Sequence, residues 1–271
     1  MAIVIETSQN VSLESGFNEV HIHVHDSMNV SLTIPTNTEG SVYLVVSGSC
    51  NLAFTLDAQV SSNWKYLWIN QSNEALVVDE HLILNEHAHL VANYGEMSLG
   101  DHHKKTHIDY VGAGSHVDFR GAIIAFNNLK WTIKADHQAK KSYAMVTCNA
   151  IVLDEAKLHL EVIGSIAKGN GGSETHQMSR IMNLGETVHG VVYPMLLIDE
   201  NDVAKISCKA SVGQPNEEHI YYLQSRGLSR LDALKLIITG YLMPIVDGID
   251  DPAIKEQLTQ EITEKVNNQW Q

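Results

Sequence analysis

The sequence predicts a mainly β protein with a helical C-terminal part, and two observations support this prediction. Up to about residue 213, short apolar or alternating runs recur roughly every 8–12 residues, and Gly, Asn, Asp or Ser closes each run. Near residue 215 the apolar spacing changes to every third or fourth residue, which is typical of an amphipathic helix. We therefore expect a β body over residues 1–213 and a helical domain over residues 214–271.

Eight runs of strand length make up the predicted β body. They are HIHVH (21–25), VSLTI (30–34), VYLVV (42–46), LAFTL (52–56), ALVVDEHLIL (75–84), AHLVANY (88–94), GAIIAF (121–126) and AIVLD (150–154). Because no helical stretch separates them, they indicate a sandwich, a barrel or a solenoid. No exact short repeat is visible, so a hexapeptide β-helix is not predicted, whereas an irregular solenoid stays open.

Capping residues predict three helices in the C-terminal part. Asn216 is expected to cap the first, which stops at Gly227 because glycine adopts the left-handed conformation readily. Ser229 is expected to cap the second, which ends at Pro244. Asp251 is expected to cap the third, whose apolar stripe consists of Ile254, Leu258, Ile262 and Val266. A short helical segment is rarely stable alone, so it should pack on the β body, on a partner or on both.

Composition excludes several classes of function. The chain of 271 residues carries a formal net charge of −14, whereas nucleic-acid binding needs clustered Lys and Arg. No apolar run approaches the roughly 20 residues that span a bilayer, and the first residues lack the pattern of a signal peptide. Three widely spaced cysteines form neither a disulfide framework nor a Cys-x-x-Cys metal site. We expect a cytoplasmic protein with neither a nucleic-acid nor a membrane partner.

The run DHHKKTH at residues 101–107 is a candidate metal site. In a strand, His103, His107 and Asp109 share one face and could converge on a metal ion. The alternative is a polar loop or strand edge, because the spacing provides no fourth ligand.

Cys208 is a candidate for thiolate chemistry. It is flanked by Lys205 and Lys209, and nearby cations favour the thiolate, which is the form that binds metal. The alternative is a buried structural cysteine, the interpretation that also applies to Cys50 and Cys148. The glycine-rich stretch at 169–175 lacks the Lys-Ser/Thr end of a P-loop and is interpreted as a loop between strands.

Seven stretches between about residue 110 and residue 243 match a known family in order. They are VGAGSHVDFRG (111–121), SRIMNL (179–184), GETVHG (185–190), LLIDENDV (196–203), KASVG (209–213), IYYLQSRGLS (220–229) and GYL (240–242). Together they resemble the SufB/SufD family of iron–sulfur cluster assembly proteins, and its SufD-like members in particular. The element YYLQSRGLS is the most specific of them.

The resemblance implies a fold and a function. The fold is a right-handed parallel β-helix followed by a small α-helical C-terminal domain. The function is that of a non-catalytic scaffold, which pairs through its β-helix with a SufB-like protein or a second copy of itself. Larger family members have an N-terminal helical region, whereas this chain begins with strands, so we expect a compact form without that region.

The resemblance also implies that the C-terminal helices dock a SufC-like ABC-type ATPase. The predicted partner-binding residues are Tyr221, Tyr222, Leu223, Arg226, Gly227, Gly240, Tyr241 and Leu242. The alternative is that several of these side chains form the helical domain's own core.

One substitution concerns the cluster itself. SufD-type sequences usually carry a histidine just before the element that reads KASVG here, and that histidine is the family's candidate ligand at the assembly interface. This chain has Cys208 there, and thiolate is a softer iron ligand than imidazole. Cys208 is therefore the predicted ligand of a transient iron–sulfur cluster, and participation of a flavin stays open. The alternatives are an interaction protein that binds the ATPase but no cluster and, more remotely, a ligand- or carbohydrate-binding β-solenoid.

Overall fold

The computed structural model describes residues 2–153, 155–185, 187–243, 246 and 252–268. Over these residues the chain forms seventeen β-strands and three α-helices. Two parallel sheets, one of nine strands and one of eight, lie face to face, and one hydrophobic core fills the space between them. The protein is therefore a parallel β-solenoid, which confirms the mainly β prediction. The right-handedness of the coil stays a prediction.

Successive strands alternate between the two sheets. They are β1 (Ala2–Ile5), β2 (Gln9–Ser12), β3 (Glu19–Val24), β4 (Met28–Ile34), β5 (Glu39–Val46), β6 (Cys50–Ala58), β7 (Asn63–Asn70), β8 (Leu76–Leu84), β9 (His89–Glu96), β10 (His102–Tyr110), β11 (His116–Ala125), β12 (Asn128–His137), β13 (Tyr143–Leu153), β14 (Lys157–Ile166), β15 (Glu174–Leu184), β16 (His189–Ile198) and β17 (Lys205–Gly213). Odd-numbered strands form the nine-stranded sheet and even-numbered strands form the eight-stranded sheet. All neighbouring strands are parallel.

The alternation along each strand sorts its side chains between the core and the outer surface, because successive residues of a strand point to opposite faces. Strand β3, for example, buries Val20, Ile22 and Val24 completely and leaves its two outward histidines half-buried. Full burial of one Val or Ile side chain stabilises the folded state by about 1.5–3 kcal/mol relative to leaving that side chain exposed. The inward rows of aliphatic residues are therefore the main source of stability.

One corner of the solenoid repeats a left-handed backbone conformation once per coil. The residues with this conformation, with φ between 55° and 73°, are Asn37, Ser61, His87, Gly114, Lys141 and Gly172. Each donates its backbone N–H to a carbonyl at the same corner one coil later, as His87 does to Ala113 over 3.0 Å. The length of one coil varies from 17 residues, between Ala2 and its partner Glu19, to 32 residues, between Lys157 and its partner His189. The repeat is therefore one of backbone shape, which is why no short sequence repeat is visible.

The three helices are α1 (Glu217–Ser225), α2 (Arg230–Leu242) and α3 (Pro252–Asn268). Asn216 caps α1 by accepting from the N–H of Glu218, and Ser229 caps α2 by accepting from the N–H of Asp232. Both caps were predicted, as was the stop at Gly227, whose φ is 95°. The predicted end at Pro244, the cap at Asp251 and the side chain of Ile254 lie outside the described residues.

Helices α2 and α3 pack on the outer face of the nine-stranded sheet. Ile238 and Leu242 of α2 and Leu258 of α3 share one hydrophobic cluster with sheet residues that include Ile124 and Ile151. Helices α2 and α3 therefore pack on the β body, which is one of the alternatives that the sequence left open, and packing on a partner stays a prediction. The core of α2 and α3 is thus shared with the sheet, and the division into domains at residues 213 and 214 stays a prediction.

Candidate functional site

The C-terminal end of the solenoid presents two uncovered strand edges. Strands β16 and β17 are the last strands of their sheets, and each has only one neighbouring strand among the described residues. Three outward side chains of β16 are apolar and exposed, namely Tyr193, Met195 and Leu197. Unpaired backbone groups beside exposed apolar side chains are the features by which one sheet pairs with a strand of another chain.

Cys208 lies in β17 at this open end. It is opposite Gln177 of β15, so its thiol faces the interior of the solenoid, yet it is exposed because no further coil covers it in the described part of the chain. Strand alternation directs Lys205 and Lys209 to the outer face. The two lysines that flank Cys208 in the sequence therefore lie on the face opposite its thiol, and their effect on the thiolate stays a prediction.

A buried polar layer lies directly beneath Cys208. Thr175, Gln177 and Ser179 point inward from β15 and are almost fully buried. Each has one side-chain oxygen without a hydrogen-bond partner, although the Gln177 amide nitrogen donates to the carbonyl of Met195 over 3.0 Å. Most buried polar groups in proteins are hydrogen-bonded, so three oxygens that have no partner among the described residues make this row unusual for a protein interior.

The other two cysteines are core residues, as predicted. Cys50 and Cys148 are buried free thiols. Burial raises the pKa of Cys50 to about 11, and it raises the pKa of Cys148 to about 12. Both therefore remain protonated at neutral pH, and a protonated thiol is a poor metal ligand. Cys208 is the exposed thiol among the three.

The hairpin of α1 and α2 exposes two adjacent aromatic side chains. Tyr221 is 75% exposed and Tyr222 is 56% exposed. The guanidinium of Arg226 lies 5.3 Å from the centre of the Tyr222 ring. The two helices are joined by a bidentate ion pair, in which Arg230 donates to both carboxylate oxygens of Glu217 over 2.6 and 2.7 Å.

The predicted partner-binding residues divide into a group on the surface of the helices and a group that packs against the β body. Tyr221, Tyr222, Arg226, Gly227 and Gly240 are exposed, and Leu223 is half-buried.

Leu242 belongs instead to the core, because it is 1% exposed and packs between α2 and the nine-stranded sheet. Tyr241 is half-buried beside it, and its carbonyl accepts from the side chain of Asn149 over 3.2 Å. In this arrangement the Leu242 side chain cannot reach a partner, which corrects its predicted role.

The two histidines of the predicted metal site lie on one face of β10 without meeting. A rise of about 3.3 Å per residue separates His103 from His107 by about 13 Å along the strand. The structure instead places His107 beside His81 of β8, with ring centres 4.9 Å apart. The prediction did not include Asp79 or His81, because the register that aligns β8 with β10 is not visible in the sequence.

A charged cluster inside the solenoid was also missed. The ammonium of Lys104 lies 3.6 Å from Glu80 and 3.1 Å from the centre of the Trp68 ring. Lys104, Glu80 and Trp68 are all buried. Glu80 also accepts hydrogen bonds from Tyr66, Tyr94 and Thr106. Burial lowers the pKa of Lys104 to about 8, although Glu80 and Glu96 act to raise it. The segment HHKKTHIDY could have revealed this cluster. If it is assigned as a strand, its even-numbered residues, Lys104 among them, point inward.

A comparison with known proteins gives the family. Residues 4–241 match the family described as SUF system FeS cluster assembly, SufBD core domain. The chain is 31% identical over 174 residues to the iron–sulfur cluster assembly protein SufD of Bacillus subtilis, an alignment that covers 64% of this chain and 40% of that protein. It is 27% identical over 146 residues to a SufBD family protein of Pyrococcus horikoshii, covering 52% of this chain and 31% of the relative.

A third relative agrees with these two. SufD of Escherichia coli is 26% identical over 116 residues, which are 43% of this chain and 27% of that protein. The chain thus aligns with less than half the length of each of these relatives.

None of the helices in the described residues combines the length and the apolar character needed to cross a membrane. The family match covers most of the solenoid and the α1–α2 hairpin, and the chain belongs to the SufBD core family of SUF-type iron–sulfur cluster assembly proteins.

Proposed function

We propose that this protein is a non-catalytic, cytoplasmic scaffold of a SUF-type iron–sulfur cluster assembly complex, and that its α1–α2 hairpin docks a SufC-like ABC-type ATPase. The observation that carries the proposal is the exposed pair Tyr221 and Tyr222 within the YYLQSRGLS element. Tyrosine side chains are enriched at the centres of protein interfaces because they bury a large area at low entropic cost. The Glu217–Arg230 ion pair supports a hairpin that is held in shape before a partner binds.

The open end of the solenoid is the second proposed interface, at which a SufB-like protein or a second copy of this chain binds. Strands β16 and β17 offer free backbone donors and acceptors. Tyr193, Met195 and Leu197 add apolar surface on the outer face of β16. A partner that pairs with these edges would satisfy the backbone groups and cover the apolar side chains.

Two tyrosine variants separate these interfaces. We expect the double substitution Tyr221→Asp and Tyr222→Asp to weaken binding of the SufC-like ATPase from the same genome by at least about a hundredfold, because interfacial tyrosines contribute about 2 kcal/mol or more each. Purified proteins and biolayer interferometry measure this affinity. Tyr193→Asp is the matched control, since it introduces the same charge on β16, and it should leave ATPase binding unchanged while weakening pairing. Equal ATPase affinity in the double variant and the wild type would refute docking through the hairpin.

Cys208 is the proposed protein ligand of a transient iron–sulfur cluster at the open end. Its exposed thiol at the end of the solenoid supports this role. A partner that covers the end of the solenoid would enclose the thiol between two chains, where it is shielded from water and oxidants. Thiolates are the usual ligands of iron–sulfur clusters.

Reconstitution with iron and sulfide tests the role of Cys208. In the complex of this protein with its pairing partner, we expect Cys208→Ser to lose most of the visible cluster absorbance. Cys50→Ala should retain it, because Cys50 is buried in the core. Equal absorbance in Cys208→Ser and the wild type would remove Cys208 from the mechanism. If no complex holds a cluster while the ATPase still binds, the protein is an interaction subunit without a cluster.

A further inference from the structure

Four polar side chains form a compact group on the outer face of the eight-stranded sheet. Asp79 and His81 lie on β8, and His107 and Asp109 lie on β10. The parallel register aligns His81 with His107, and one ligand atom from each of Asp79, His81 and His107 lies within 4.8 Å of the other two. Two strands, β12 and β14, lie between β10 and the open edge at β16, so the group is distinct from the proposed pairing interface.

We propose that Asp79, His81 and His107 bind a divalent first-row transition-metal ion such as Zn²⁺, Fe²⁺ or Co²⁺. Two imidazoles and one carboxylate form the mixed donor set that these ions prefer. Mg²⁺ and Ca²⁺ prefer a shell of oxygen ligands, which two imidazoles do not provide. Three protein ligands leave coordination positions for water or for a small anionic ligand.

The surroundings of His81 favour its role as a ligand. One ring nitrogen, Nε2, lies 3.5 Å from Asp79, and the other, Nδ1, lies 3.9 Å from Asp109. Metal-bound histidines commonly direct their second nitrogen towards a carboxylate, which orients the ring and selects its tautomer. Asp109 lies on the Nδ1 side of the His81 ring, but 3.9 Å exceeds hydrogen-bond distance, so the ring has to turn slightly to form this bond. The His81 side chain is 43% exposed, so it has room to turn towards an ion.

Single His–carboxylate pairs occur on the outer faces of both sheets, and the group differs from them by its second histidine. His21 with Glu19 and His159 with Glu161 are pairs two residues apart on one strand. At Asp79 the neighbouring strand adds His107. Three ligands held around one point bind an ion more tightly than one pair does, because folding has already brought them together and less entropy is lost on binding.

A similar group on the nine-stranded sheet contains His89, His116 and Asp118. There the ring of His116 stacks on Tyr143 at 4.3 Å and meets His89 edge-on. Among the described residues, the carboxylate that pairs with these two histidines is Asp118, 3.5 Å from His116, and none takes a second position comparable with that of Asp109. We therefore assign the metal to the group around His81 and use His116 as a control.

Cobalt binding to the full chain tests the proposal. The background variant is Cys208→Ser, so that the exposed thiol cannot bind the ion, and the titration follows the visible d–d bands of Co²⁺ with Zn²⁺ as competitor. We expect His81→Ala and His107→Ala each to weaken Co²⁺ binding by at least about tenfold. His103→Ala, four residues away on the same face of β10, and His116→Ala should bind as the background does.

A variant with the opposite expected effect strengthens the test. Lys105 is aligned with Asp79 in the register of β8 and β10, so its positive charge opposes a cation bound there. Lys105→Gln should therefore tighten Co²⁺ binding severalfold. Three results would overturn the proposal, namely absence of Co²⁺ bands in the background protein, equal affinity after His81→Ala, or loss of the bands in His116→Ala.

Discussion

Replacing Lys104 by alanine is expected to lower the free energy of unfolding by about 3–5 kcal/mol, because removal of one partner leaves a buried charge without compensation. The Lys104 ammonium lies 3.6 Å from Glu80 Oε2 and above the rings of Trp68 and Tyr94. Without the ammonium, the partners of the buried Glu80 carboxylate would be three neutral hydroxyl donors, in an interior that excludes solvent. Urea unfolding followed by circular dichroism measures the loss.

The neighbouring lysine is the matched control. Lys105 follows Lys104 on β10 but points to the outer surface, where it is exposed, so Lys105→Ala should change the free energy of unfolding by less than about 0.5 kcal/mol. The double substitution Lys104→Met with Glu80→Gln removes both charges and should cost less than the sum of the single changes. A loss after Lys104→Ala no larger than that after Lys105→Ala would contradict a stabilising role for the buried pair.

Leu242→Ala is expected to lower the free energy of unfolding by about 2–5 kcal/mol, as is usual for a fully buried leucine. Leu242 packs with Ile238 and Leu258 against the nine-stranded sheet, and a cavity there would loosen α2 and α3 together. Because the helices share their core with the sheet, loss of helix packing should accompany weaker packing of that sheet face. Thermal unfolding and hydrogen exchange of α2 and α3 report the two effects.

A second leucine of α2 provides the control for this experiment. Leu236 is 54% exposed, so Leu236→Ala should leave stability within about 0.5 kcal/mol of the wild type. The comparison matters for function, because weaker ATPase binding by a Leu242 variant would reflect a loosened helix and would not show a direct contact. If Leu242→Ala is as stable as Leu236→Ala, the helices do not pack on the sheet as described.

Much of the fold was visible in the sequence. Alternating apolar residues marked the strands, and Asn216, Ser229 and Gly227 marked helix boundaries, because each of these signals acts within a few residues. The choice among sandwich, barrel and solenoid was not visible, since all three need the same alternation along a strand. The coil repeat was hidden for a related reason. Its marker is a left-handed φ, which Asn, Ser, His, Gly and Lys adopt in turn.

The candidate sites were predicted less completely. Tyr221 and Tyr222 were identified and are exposed, whereas Leu242 was assigned to the same surface and is buried. Both assignments rest on one helical pattern, and only packing decides which face of a helix is covered. His107 was identified without its neighbour His81, because 26 residues separate them in the chain and the strand register brings them together.

The sequence by itself therefore determined eight of the seventeen strands, the caps at Asn216 and Ser229, the family resemblance and the position of Cys208 in the motif. These depend on residues that are close together in the chain. The tertiary structure alone decided that Cys208 is uncovered, that its lysine neighbours lie on the other face, that Lys104 is paired inside the core, and that Asp79 meets two histidines. The physical reason is the parallel solenoid, in which each side chain's neighbours across the sheet come from one coil earlier or later.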